Sequence, residues 1–385
     1  MSRGRGGIVL VLLAISVAGT VFSTGPATGQ PPSCHGHPAT IVGAGYIHGT
    51  PGDDVIVGSD GIDWIDGGAG NDIICGGGGN DFVIGALGDD LVDGEAGTDA
   101  VIGDQFALVG TIDADGGNDV VLGGPGDLDI IAGDNAVIVG DVSGHGGNDV
   151  LNGGPGNLDI LHGDNASFRG NASGAGGDDQ LTDAAGDLEI FVGDNGAITG
   201  VASGPGGNDI ITDSSGSVFS MNGDNTSFYG ANGLGGNDFL TGPPGGSGFV
   251  VGDNQSALGP TVSSPGGDDV IVLGDGPNGL GAPVKGDNIV AALDVAIDGL
   301  VLGLLGMPGV QRMPIPVSVL TGYLPGLFGY TEGGGNDRIS GGRGNDSIDG
   351  GPGDDVIDGG GGVDRCDGGA GRNVVQNCTI GATTG

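Results

Sequence analysis

The chain has 385 residues, with 49 Asp plus Glu against nine Lys plus Arg, a formal net charge of −40, and 95 glycines. So acidic a chain argues against nucleic acid and anionic membrane as direct partners, while a calcium bridge to an anionic surface stays open. Nearly all of the acid is Asp, since the glutamates are Glu95, Glu189 and Glu332. A merely solvated acidic surface would mix the two, whereas the shorter Asp side chain suits an ion held in a turn.

The N-terminus carries Arg3 and Arg5, an apolar run over 8–18, then small residues. This pattern predicts a secretory signal peptide over 1–29 and a secreted, extracellular mature chain. An uncleaved anchor is the alternative, but the run is short for a spanning helix. Residues 30–48 follow as a lead or cap, with Cys34 between polar neighbours that include His35 and His37.

From 49 to 102 six nonapeptides run without a slip, among them GTPGDDVIV (49–57), GGAGNDIIC (67–75) and GGGGNDFVI (76–84). Each opens with Gly, has Gly fourth, Asp sixth and an apolar residue eighth. The Asp set is Asp54, Asp63, Asp72, Asp81, Asp90 and Asp99; the apolar set is Ile56, Ile65, Ile74, Val83, Val92 and Val101. Six residues make a glycine turn and three a short strand whose central residue points inward. Two nonapeptides complete a coil, so Asp54, Asp72 and Asp90 stack along one edge and Asp63, Asp81 and Asp99 along the other. Carboxylates about 4.8 Å apart repel by roughly 0.9 kcal/mol in water and about 3.5 kcal/mol at an effective dielectric near 20. A ladder of such pairs rivals the whole stability of a domain, about 5–15 kcal/mol. The fold therefore needs cations between its turns, and hard oxygen donors favour Ca²⁺ over Zn²⁺. A disordered Gly/Asp tract has no reason to keep an apolar residue at every eighth position.

From 103 to 285 the period becomes thirty, with units beginning at Gly103, Gly133, Gly163 and Gly193 and two later ones of slightly altered length. Each carries GD(N/Q) and GG(N/D)D, giving aspartates every fifteen residues from Asp104 to Asp224. An enlarged solenoid with longer coils is expected, with strands near 119–122, 128–131 and 136–139. The nonapeptide rule lapses here, so Asp119, Asp149, Asp179, Asp209, Asp238 and Asp269 are either ligands or ordinary Asx turns. Residues 286–331 form an apolar, acid-poor insertion. Val290, Leu293, Ile297, Val301 and Leu304 recur at helical spacing and predict a short amphipathic helix. That segment is read as a cap on the solenoid, a surface for self-association or a cell-surface partner, or a membrane-active element.

A second nonapeptide block covers 332–376, with GGRGNDSID (341–349) and GGPGDDVID (350–358) matching throughout. It contributes Asp337, Asp346, Asp355 and Asp364; Cys366 takes the apolar slot in one copy and Asn373 replaces Asp in the last. Residues 377–385 are a tail. The cysteines Cys34, Cys75, Cys366 and Cys378 form two disulfides outside the cell, and closeness in sequence pairs Cys34 with Cys75 and Cys366 with Cys378, one near each end of the array.

The GGxGxDxUx repeats resemble the repeats-in-toxin family of haemolysin-type calcium-binding repeats. The resemblance implies an all-β fold, a parallel β-roll or β-solenoid, here built from Gly/Asp-rich nonapeptides plus the longer 30-residue repeats. It implies that sixth-position Asp side chains and turn carbonyls hold several Ca²⁺ ions between turns. The ligands carried over are Asp54, Asp63, Asp72, Asp81, Asp90, Asp99, Asp337, Asp346, Asp355 and Asp364. Members of the family carry such repeats beside protease or lipase domains, but this chain has neither HExxH nor GxSxG and little length to spare for a catalytic domain. The N-terminal signal also departs from the C-terminal export signal common in the family. The expectation is a non-catalytic, secreted structural or adhesive module that folds on binding Ca²⁺; the alternative is a haemolysin-like, membrane-active protein using 286–331.

Overall fold

The computed structural model describes residues 31–383, apart from 127, 157–158, 184–185, 215, 228–229, 246, 257–264, 275–283, 286–288 and 291–333. The predicted signal peptide, and the predicted helix beyond Val290, lie outside the described residues. No described residue is helical.

Two parallel sheets of thirteen strands each run the length of the described stack. Their short strands are the x-U-x ends of the repeats, and each pairs with its equivalent one coil on. On the first sheet the inward file reads Ile56, Ile74, Val92, Val121, Leu151, Leu181, Ile211, Leu240, Ile271, Ile339 and Ile357, in unbroken register. On the second it reads Ile47, Ile65, Val83, Val101, Ile131, Leu161, Phe191, Met221, Val250, Val284, Ile348 and Cys366. The two files meet in one continuous core. One apolar residue per strand suffices because the coil is so flat that its two inward residues face each other; the stack supplies the depth that a single coil lacks.

The expected long coils are present, and they extend the same roll. Asp-Val-Val-Leu at 119–122 and Asp-Ile-Ile at 129–131 keep the nonapeptide's strand half with one extra residue between them, so Val120–Leu122 joins the first sheet and Ile130–Ala132 the second. The lapse of the nonapeptide rule read from the sequence is therefore confined to the turns. After the second strand, GDN leads into an outward excursion. Ala136–Val139 belongs to a seven-stranded sheet and Val142–Ser143 to a five-stranded one, both built from the same excursion in successive coils. A small core of Ile112, Val137, Val142, Ala172, Ala197 and Ala202 lies beneath them. Ile289–Val290 still pairs with Gln255–Ser256, and Arg338 pairs with Val270.

Both ends are closed by disulfides. Cys34, from the hairpin of Ser33–Cys34 with His37–Pro38, is bonded to Cys75. Cys366 occupies the inward file and is bonded to Cys378, which packs against the end of the core.

Candidate metal centre

The sixth-position aspartates form two ladders on opposite edges of the roll. On the first, the backbone N–H of each Asp donates to Oδ1 of the equivalent Asp one coil on, at 2.7–3.0 Å, from Asp54 through Asp72, Asp90, Asp119, Asp149, Asp179, Asp209, Asp238, Asp269 and Asp337 to Asp355. Asn373 accepts from Asp355 at the end. The second edge runs Asp63, Asp81, Asp99, Asp129 and Asp159, and resumes with Asp346 and Asp364. Sequence reasoning missed Asp129 and Asp159. The signal was Asp two places before the inward residue, in LDII and LDIL, displaced by one from the nine-residue period.

Asp119, Asp149, Asp179, Asp209, Asp238 and Asp269 thus continue the nonapeptide ladder itself. The single series of aspartates every fifteen residues is corrected by this geometry: GG(N/D)D residues belong to the edge ladder, and GD(N/Q) residues form a separate file. Their equal spacing hid the fact that they form two separate files side by side at one edge: a Cβ on Gly133, next to Asp134, would collide with Asp149 Oδ2.

One carboxylate oxygen serves the ladder and the other is left over. Oδ2 of Asp72, Asp81, Asp90, Asp99, Asp119, Asp129, Asp149, Asp159, Asp179, Asp209, Asp238, Asp269, Asp337, Asp355 and Asp364 is buried without a hydrogen-bond partner. An orphaned buried carboxylate oxygen is costly, and a whole row of them demands compensation. Each faces a cradle: a Cβ placed on Gly67 would lie 2.5 Å from the Gly85 carbonyl oxygen and 2.6 Å from Asp72 Oδ2. The same pairing recurs at Gly76, with the Gly94 carbonyl at 2.7 Å and Asp81 Oδ2 at 2.9 Å. Glycine at the first position keeps this space clear for carbonyl and carboxylate oxygens, the donor set that a hard cation takes.

The first rungs differ. Asp54 Oδ2 accepts from the Thr50 N–H at 2.7 Å and the Thr50 hydroxyl at 2.8 Å; Asp63 Oδ2 accepts from the Ser59 N–H at 2.6 Å and hydroxyl at 2.8 Å. Thr50 and Ser59 stand where most later copies have Gly, so the protein itself satisfies these two carboxylates.

The electrostatics follow the burial. Desolvation, reinforced by neighbouring carboxylates, pushes Asp72 up to about 6, Asp90 and Asp99 to about 7, Asp337 to about 8 and Asp119 to about 9. Asp179, Asp209, Asp238 and Asp269 are raised well above the ordinary carboxyl value for the same reasons. Asp54 alone of its ladder moves down: its slight burial is outweighed by hydrogen bonds from Thr50 and Thr40.

A contrast between two neighbouring ladders bears on what fills the cradles. Immediately before each first-edge Asp, an exposed ladder reads Asp53, Asn71, Asp89, Asn118, Asn148, Asp178, Asn208, Asn237, Asp268, Asn336 and Asp354. Asn separates every pair of carboxylates there. One residue further on, in the buried ladder, Asp stands on every rung until Asn373. Where charge has no partner the chain dilutes it with amides; where it stacks Asp without relief, the relief must come from an ion.

The family model described as the RTX calcium-binding nonapeptide repeat matches residues 48–83, 76–107, 111–127, 141–165, 333–366 and 346–375. These stretches of the chain are RTX-type calcium-binding repeats. Two of the matches fall within the thirty-residue units of the roll, in line with the strand register found there. No curated protein matches the chain.

Proposed function

We propose that this protein is a secreted, non-catalytic structural or adhesive module that folds when Ca²⁺ fills the cradles along its two edges, with the ten nonapeptide aspartates and their counterparts in the long coils as ligands. The observation that carries the reading is the uninterrupted buried Asp ladder with its orphaned Oδ2 atoms, beside an exposed ladder in which Asn breaks up the charge. Each site filled to 100 times its dissociation constant contributes about 2.7 kcal/mol. Several sites offset the carboxylate repulsion and the backbone entropy of a glycine-rich chain. Extracellular modules bind calcium at roughly 0.1–1 mM, which suits a chain that stays unfolded inside the cell and folds after export. The apolar run at 8–18 and the two disulfides support an oxidising, extracellular destination.

Far-ultraviolet circular dichroism of the mature chain, titrated with Ca²⁺ and separately with Mg²⁺, tests the folding mechanism. The expected result is a cooperative coil-to-β transition with Ca²⁺ alone. A β-rich spectrum in chelator, or a disordered one at saturating Ca²⁺, would overturn it. Secretion is checked by expressing the full chain and sequencing the N-terminus of the product in the medium; cleavage near residue 30 is expected.

A further inference from the structure

The GD(N/Q) aspartates of the long coils lie outside the RTX nonapeptide motif, and their surroundings are as demanding as those of the RTX ladder. Asp104, Asp134, Asp164, Asp194, Asp224 and Asp253 recur once per coil, and all six are buried. Gly117 N–H donates to Asp104 at 2.7 Å, Gly147 N–H to Asp134 at 3.1 Å and Gly207 N–H to Asp194 at 3.0 Å, and carboxyls of consecutive coils also come within hydrogen-bonding reach of one another. A carboxylate has room for about four such bonds. Successive carboxylates converge rather than diverge. A Cβ on Gly146 would lie 2.9 Å from Asp134 Oδ2 and also collide with Asp164 Oδ1; Gly176 stands in the same relation to Asp164 and Asp194, and Gly206 to Asp194 and Asp224.

A second observation points to a ligand. Asp224 is fully buried, its Oδ2 has no hydrogen-bond partner, and the charged groups that act on it are the acids Asp238, Asp194, Asp253 and Asp269. The residue after each GD aspartate shows that the fold builds neutral ladders where hydrogen bonding alone is needed. Asn135, Asn165, Asn195, Asn225 and Asn254 are buried and joined amide to amide at 2.9–3.2 Å. Beside this all-amide ladder, an all-carboxylate one must be offset by positive charge.

We propose that these six aspartates hold a second file of hard divalent cations, confined to the thirty-residue coils and running beside the RTX file. The ions take oxygens from GD carboxylates of consecutive coils and from the neighbouring GG(N/D)D carboxylates. The proposal rests on the reading of the chain as a calcium-loaded roll, but it adds sites that the nonapeptide motif does not contain.

The test compares the full chain with a variant carrying Asp134→Asn, Asp164→Asn and Asp194→Asn. Bound calcium is counted by equilibrium dialysis and metal analysis at saturating Ca²⁺, with circular dichroism to confirm β-structure. The expected result is a loss of about four ions per chain, one for each gap between consecutive coils from Asp104 to Asp224 that loses a GD carboxylate, since Asn is a weaker oxygen donor without charge. An unchanged count would overturn the proposal and assign the file to carboxyls sharing protons. Should the triple variant not fold, single Asp194→Asn is read the same way: about two ions fewer supports the second file, and an equal count sinks it. Asp72→Asn with Asp81→Asn separates the two readings. If it lowers the count while the GD variants do not, the RTX file stands and the second file falls. If it leaves the count unchanged while the GD variants lower it, the second file stands and the nonapeptide assignment fails.

Discussion

At the scale of single residues, each ladder Asp does two jobs with two oxygens. Oδ1 ties its coil to the preceding one through a backbone N–H, and Oδ2 is left for the ion. Without calcium the second oxygen is a burden, and its size depends on pH. Desolvation, with nearby carboxylates adding to it, holds Asp90 and Asp99 at about 7 in the folded chain, against an ordinary value of 3.8. A folded-state value raised above the unfolded one means the protonated form is favoured by folding. Calcium-free coils are therefore most stable below about pH 4, and that stability is lost as pH rises through 7. Circular dichroism in chelator between pH 4 and pH 8 is expected to show β-structure recovering on acidification; β-content that rises with pH would contradict it. Asp90→Asn imitates the protonated side chain, so it is expected to favour β-structure in chelator and to weaken it at saturating calcium. Asp54 and Asp63 stand apart, because Thr50 and Ser59 already satisfy their second oxygens. Replacing either residue by Gly removes the hydroxyl bond but keeps the backbone N–H that also reaches Oδ2.

At the scale of the strand, three residues carry the whole alternation. Val150 and Asn152 flank Leu151, which is completely buried in the inward file, while Val150 is 39% exposed. Leu151→Ala is expected to cost about 2–5 kcal/mol, since it opens a cavity between Val121 and Leu181. Val150→Ala is expected to cost well under about 1 kcal/mol, as for other surface changes. Thermal melting at fixed calcium measures both; equal losses would mean that the file is not the core. The turn is as constrained as the strand. Gly67→Ala would drive a methyl group into the Gly85 carbonyl and Asp72 Oδ2, whereas Gly52 has open space around its α-carbon. The pair separates glycine needed for ion access from glycine that merely fills a turn.

At the scale of the whole molecule, the two nonapeptide blocks are parts of one stack. The first-sheet file passes from Ile271 to Ile339 across the insertion without losing register. Stability in such arrays is a sum of coil terms and nearest-neighbour interfaces. Calcium is accordingly expected to fold the chain in one transition, with the fluorescence of Trp64 in the first block tracking the circular dichroism of the whole. Two separated transitions would mean that the coils around 275–333 uncouple the blocks. The disulfides act on the ends. Their sequence separations are 41 and 12 residues, which in the chain-entropy picture correspond to about 4 and 3 kcal/mol. Reduction is expected to raise the calcium midpoint without changing the final β-content, measured in the same titration.

The sequence by itself determined the repeat, its turn and strand halves, the inward residue of each nonapeptide, the stacking of aspartates at eighteen-residue intervals, and the family. These are local matters: glycine where the backbone must turn or make room, Asp where a turn meets an ion, one aliphatic side chain where a three-residue strand points inward. The tertiary structure decided which coils share a column. Asp119 and Asp134 are fifteen residues apart, as are Asp134 and Asp149, yet Asp119 and Asp149 are consecutive rungs of one ladder and Asp134 belongs to a neighbouring file. Spacing along a chain does not say where the excursion between two turns goes. Asp129 and Asp159 entered the second edge in the same way, through strand register that one added residue had masked in the sequence. The orphaned Oδ2 atoms were equally beyond the sequence, because whether a carboxylate is satisfied depends on the surrounding turns, and at Asp54 and Asp63 the N–H and hydroxyl of Thr50 and Ser59 together reverse the answer.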